Sequence, residues 1–117
     1  QSETSNKDHR PWGWFEILLT YTNYQVKRLF IKPLESISLQ KHKYRSEHWI
    51  VVSGEAYVII DNENKIIKQG ESIFIPMGFK HRIENKTKDP IVIIEVQTGS
   101  YLGEDDIIRY EDKYSRN

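Results

Sequence analysis

The feature that most constrains this chain is its punctuation. Between residues 15 and 96, apolar and β-branched runs of roughly four to nine residues alternate with turn-forming residues at short, regular intervals. No helical period interrupts them before residue 103. The runs are 15–22, 24–32, 36–42, 48–52, 55–60, 65–68, 72–75, 80–84 and 90–96. Asn23 is a turn former, and Pro33 and Pro76 lack the N–H that a sheet ladder needs. Gly54, Gly70 and Gly78 admit backbone angles closed to other residues. Asp61, Asn62, Glu63 and Asn64 read as a hairpin loop. About nine short strands so spaced predict an all-β sandwich or closed barrel. The segment after residue 103 is expected to be a short helix or an ordered coil, because Ile107, Tyr110 and Tyr114 stand at helix-compatible spacing.

A chain of 117 residues holds one core and not two. The domain is expected over 10–117, after a polar, aperiodic tail at 1–9. Lys plus Arg is 17 and Asp plus Glu is 17, so the basic excess of a nucleic-acid binder is missing. No apolar run is long enough for a membrane helix, and the N-terminal stretch does not read as a signal peptide. The absence of cysteine excludes disulfides and thiolate metal sites, and it accords with a cytoplasmic location.

Four histidines remain for metal or acid–base chemistry: His9 in the tail, and His42, His48 and His81 at strand ends beside turns. Gln40 and His42 are two apart in a strand, so both face one side and can reach one ion. Glu47 and His48 follow the stretch KYRS, which is long enough to break strand parity, so either can point inward. Antiparallel pairing can set His81 opposite His42.

This pattern resembles the cupin family twice over. Gln40, His42, Glu47 and Gly54 match its first motif, with Gln in place of the usual first His. Gly70, Pro76, Gly78, His81 and Asn85 match its second at every spacing. The resemblance implies a jelly-roll, double-stranded β-helix barrel with a short C-terminal extension, and it selects Glu47 over His48. It leaves Asn85 as a turn residue. The implied metal ligands are Gln40, His42, Glu47 and His81. Two imidazoles, a carboxylate and an amide oxygen suit a divalent ion, zinc first, with cobalt, manganese or nickel as alternatives. Four protein ligands still leave a position open to water or substrate.

The stretches RPWG (10–13), QVKR (25–28), SLQKHKYRSEHWIVVSGEA (38–56), IPMGFKHRIEN (75–85) and IEVQTGSYLGEDDIIRYEDKY (94–114) carry a narrower resemblance. They are similar to type II phosphomannose isomerase, the C-terminal domain of bifunctional mannose-6-phosphate isomerase/mannose-1-phosphate guanylyltransferases. Trp14, Phe15 and Ser115 depart from that pattern. The resemblance implies an N-terminal nucleotidyltransferase partner domain, a homodimer, and a phosphosugar substrate. The chain shows no Gly-rich phosphate loop, so by itself it is not expected to make GDP-mannose.

The implied reaction interconverts mannose 6-phosphate and fructose 6-phosphate through an enediol. It needs an electrophile for the oxygens, a base for the proton that moves between C2 and C1, and cations for the phosphate. Glu95 is the leading base, since it interrupts an apolar run and shares a face with Gln97; both can equally face solvent. His48, Glu104, Asp105 and Arg109 are further candidates, although the Glu104-Asp105-Asp106 cluster can equally be a solvated end. Lys27, Arg45, Arg10 and Arg109 are candidates for the phosphate, and Asp105 for the substrate. Lys27 is favoured over Arg28 because it shares a face with Leu29 and Ile31. Trp14, Trp49, Tyr101, Tyr110 and Tyr114 are expected to pack, with Trp12 near the opening as the exception. Two other functions stay open: a non-catalytic cupin supporting the nucleotidyltransferase, and an iron oxygenase, against which the neutral Gln40 weighs.

Overall fold

The computed structural model describes residues 6–111. Among them are eleven strands and no helix: β1 (Asp8–Arg10), β2 (Gly13–Thr20), β3 (Tyr24–Ile31), β4 (Leu39–Lys41), β5 (Arg45–Ser53), β6 (Glu55–Ile60), β7 (Glu63–Lys68), β8 (Ser72–Ile75), β9 (His81–Glu84), β10 (Ile91–Gly99) and β11 (Ile108–Glu111). One antiparallel sheet runs β1-β2-β3-β10-β5-β8 and the other β11-β4-β9-β6-β7. The all-β expectation holds.

Three local expectations change. β1 starts inside the stretch read as a tail and pairs Asp8 with Phe15 and Arg10 with Gly13. The hairpin after β6 closes on Asp61 and Asn62 alone, with Asp61 at φ 48° and Ile60 already opposite Glu63. The segment expected as helix or coil supplies β11, which sets Arg109 opposite Gln40. Its helix-like spacing is outweighed by the open edge of β4, whose backbone groups need partners. Tyr114 and Ser115 lie outside the described residues.

The cross-strand register places the site. Along β3, β10 and β5 alternate residues face the interior, and the inward pairs change character along the barrel. Ile31 lies opposite Ile91 and Leu29 opposite Ile93; next come Lys27 opposite Glu95 and Gln25 opposite Gln97. On the other flank of β10, Val51 precedes Trp49 and Glu47 in the same progression. One end of the interior is therefore an apolar plug of Ile31, Val51, Ala56, Val58, Ile83, Ile91 and Ile93, each large side chain contributing about 1.5–3 kcal/mol by burial. The other end is polar. Gly54, at φ 89°, permits the β5–β6 turn, where an added Cβ would sit 2.6 Å from the Pro90 carbonyl oxygen.

Candidate active site

β4, β5 and β9 converge at the polar end. Gln40 pairs with His81 across β4 and β9, so Gln40, rather than His42, lies opposite His81. His42 follows β4, and its ring lies 5.0 Å from the His81 ring. Glu47 comes inward from β5. The ligand atoms of His42, Glu47 and His81 lie within 4.8 Å of one another, and all three residues are buried.

Each of these side chains is held from behind. His42 Nδ1 donates to the Asp106 carbonyl at 2.7 Å, and His81 Nδ1 donates to the Phe79 carbonyl at 3.0 Å. Those bonds put the proton on Nδ1 and leave both Nε2 atoms as lone pairs in the neutral rings. The Gln40 amide nitrogen donates to Ser38 Oγ at 3.0 Å, which leaves its oxygen available to a cation. Trp49 Nε1 donates to Glu47 Oε1 at 2.9 Å. Burial raises the Glu47 carboxyl pKa, but a hydrogen bond from His42 and the charges of His81 and His42 when those rings are protonated, together with Arg45, outweigh it and hold the group well below its usual value. Burial likewise pushes His81 down, towards the neutral ring a metal requires.

The donor set fits a divalent cation. His42 Nε2 lies 3.1 Å from Glu47 Oε2, and His81 Nε2 lies 3.8 Å from Glu47 Oε1. With both rings neutral, lone pairs face a carboxylate across these gaps, and a cation or a ring proton between them removes the repulsion. Arg45 adds positive charge: Nε and Nη2 both lie 3.0 Å from Glu47 Oε2. Arg45 Nη1 is buried with no hydrogen-bond partner among the described residues.

Glu47 and His81 open into a small cavity of about 100 Å³, tighter than the roughly 300–1,000 Å³ of ordinary small-molecule sites. Gln40, Arg45, Glu47 and His81 line it, as do Glu95 and Lys27. Glu95 is buried. Burial, then the nearby Glu47 charge, pushes its pKa up to about 8, despite Lys27, Arg45 and a hydrogen bond from Gln97. Lys27 is also buried, 4.5 Å from the Phe15 ring centroid, with Nζ 2.5 Å from Glu104 Oε2. Arg28 points the other way and pairs with Glu16. Arg10, Arg109 and Glu104 stand exposed on the cavity wall.

Two sequence candidates are corrected. His48 is exposed on the outer face against Phe74, because β5 alternates with Glu47 inward. Asp105 is exposed, does not line the cavity, and accepts a 2.6 Å bond from Tyr101 Oη. Trp12 lines the cavity, and so does Trp49, which was expected only to pack.

Asp106 escaped the sequence reading. It is buried, and besides its carbonyl's bond to His42, its carboxylate accepts from the backbone N–H groups of Lys43 and Tyr44 at 2.8 and 2.9 Å. Its neighbours Glu104 and Asp105 suggested a solvated cluster, and nothing local marks the last acid of the three as the one turned inward. Asp106→Ala keeps the carbonyl that meets His42 and removes the carboxylate that fixes the Lys43–Tyr44 backbone beside it; it is expected to weaken metal affinity by up to about tenfold, the low end of disturbing support behind a ligand, and calorimetric titration of zinc measures it.

The fold is the cupin type, a double-stranded β-helix barrel. It superposes on the capsular polysaccharide assembling protein CapF from Staphylococcus aureus with a TM-score of 0.82 over 95% of this chain and 35% of that one, at 23% identity. With oxalate decarboxylase from Bacillus subtilis the TM-score is 0.81 over 91% and 30%, at 17% identity. At such identities the likeness is one of fold. Residues 1–112 match the family described as mannose-6-phosphate isomerase C-terminal, and the chain belongs to that family. It is 49% identical over 97% of its length to a mannose-1-phosphate guanylyltransferase of Salmonella montevideo. It is 48% identical over 99% of its length to the alginate biosynthesis protein AlgA of Pseudomonas aeruginosa. The chain spans 24% of each of these relatives.

Proposed function

We propose that this domain interconverts mannose 6-phosphate and fructose 6-phosphate, within a longer polypeptide that carries a nucleotidyltransferase. The observation that carries this reading is one cavity whose wall combines the Gln40–Glu47–His81 ligands, a buried carboxylate, and cations. A divalent ion held by Gln40, His42, Glu47 and His81, zinc in the first instance, supplies a Lewis acid for the sugar oxygens. Glu95 takes the proton from C2 and returns it to C1 while the hydroxyl proton passes from O2 to O1 between the adjacent oxygens; its raised pKa suits a group that must both accept and donate near neutrality. Arg45 Nη1 offers a donor to a sugar oxygen without giving up any other bond. Arg10 and Arg109 at the mouth take the phosphate, with Lys27 behind them. Glu104 on Lys27 balances that charge until phosphate arrives.

A cytoplasmic location and a homodimer belong to the same proposal. The outer face of the first sheet exposes Ile50, Val52 and Phe74, the kind of apolar surface a second copy covers.

The metal-loaded protein is expected to convert mannose 6-phosphate in a coupled assay, and chelation is expected to stop it. No turnover by the metal-loaded protein would leave the domain a supporting module of the nucleotidyltransferase.

A further inference from the structure

Beyond Glu95 along β10 lies a row of side chains that do not line the cavity and that the proposed chemistry does not use. Thr20 Oγ1 donates to Gln25 Oε1 at 2.8 Å. Gln25 Nε2 donates to Gln97 Oε1 at 3.0 Å. Gln97 Nε2 donates to Glu95 Oε2 at 2.7 Å. Gln97 is 0% exposed and Gln25 5%. The register builds the row: Gln25 lies opposite both Thr20 on β2 and Gln97 on β10, and Gln97 lies two residues beyond Glu95 on the same face.

The row has one direction. Gln97 presents its NH₂ end to Glu95 Oε2, the only end an ionised carboxylate can accept from and one that the carbonyl oxygen of the protonated form also accepts. Gln97 then turns its oxygen to Gln25, which must answer with its own NH₂, and the last oxygen is left for a hydroxyl. Flipping any one amide would set donor against donor or acceptor against acceptor.

We propose that Gln97, braced by Gln25 and Thr20, is a positioning residue for the isomerase: it pins Glu95 Oε2 and presents the other oxygen, Oε1, to the C1–C2 edge. This rests on the reading of Glu95 as the proton carrier. Amides do not titrate, so the row holds the carboxylate without offering its proton a path out of the barrel. Two buried glutamines are a costly way to fill space, because each has to be fully paired, and apolar residues would pack here without that demand.

The test is a double-mutant cycle in the full-length, metal-loaded protein. Gln97→Met keeps the volume and removes the donor; it is expected to lower kcat about ten- to a hundredfold, the scale of a small misplacement of a reacting group. KM is expected to stay within about twofold. In a Glu95→Gln background the same change is expected to have little further effect, because there is no longer a base to position. Gln25→Met, one step back, is expected to act in the same direction but less. As a readout independent of turnover, the Gln97 side-chain NH₂ protons are expected to exchange slowly with solvent and to shift in Glu95→Gln. Wild-type kcat in Gln97→Met, or an equal loss in both backgrounds, overturns the positioning role while leaving Glu95 as the base. Wild-type kcat in Glu95→Gln overturns the base assignment and the positioning role with it.

Discussion

His42→Ala is expected to abolish metal-dependent isomerisation, with a fall of at least about a thousandfold, because an electrophile of this kind is worth several kcal/mol and each ~1.4 kcal/mol is a factor of ten. Two readouts separate lost metal from a lost fold. Zinc is expected to raise the melting temperature of the unaltered protein and to leave that of the variant nearly unchanged, since only a folded, competent site gains stability from the ion. The variant is also expected to fold. Glu47 keeps Arg45 at 3.0 Å and the Trp49 indole at 2.9 Å, so losing one imidazole does not strand an unpaired buried carboxylate. For the same reason chelation is expected to be reversible. An unaltered rate in His42→Ala, with the zinc-induced stabilisation gone, would separate the ion from the chemistry.

Glu95→Gln is expected to lower kcat by about 10²–10⁴, the range for removing a general acid–base group, while making the metal-free protein more stable at neutral pH. The second effect follows from the sign of the shift. Glu95 has a folded pKa of about 8 against an ordinary value of 4.5. Below 4.5 the group is protonated whether folded or unfolded. Between 4.5 and 8 the unfolded chain releases that proton and the folded one retains it, so stability falls as pH rises through this window. Glutamine never ionises and avoids the penalty. It still offers an oxygen to Gln97, so the hydrogen-bonded row survives. Denaturant midpoints at pH 5 and pH 8 measure the effect: the two proteins are expected to converge at the lower pH and separate at the higher. In the metal-loaded enzyme the added positive charge offsets Glu47, so the acid limb of kcat/KM is expected below about 8. Equal midpoints at pH 8 would show that Glu95 ionises as easily inside the barrel as outside.

Much of the architecture was legible because it depends on local rules. β6 and β8 have the limits their alternation and flanking turns predict. The interior position of Lys27 follows from parity with Leu29 and Ile31, since side chains two apart share a face. Parity also allowed Gln40 and His42 to be grouped. It failed between His42 and Glu47, where KYRS leaves the strand pattern, and only the family resemblance separated Glu47 from His48. The strand at Ile108–Glu111 went unread because helix-compatible spacing is a weak signal beside the hydrogen-bonding demand of an open sheet edge.

By itself, then, the sequence determined an all-β chain, the faces of its longer strands, and a His/Glu/Gln set with a family's motif spacing. Tertiary structure alone decided what surrounds each of those groups. Burial beside Glu47 gives Glu95 its raised pKa, the β3–β10 register sets Gln25 against Gln97, and the return of the chain through β11 carries the Asp106 carbonyl to His42. The reason is range. Alternation and turn chemistry act over a few residues, whereas desolvation, charge pairing and support behind a ligand act between residues far apart along the chain, and only the closed barrel makes them neighbours.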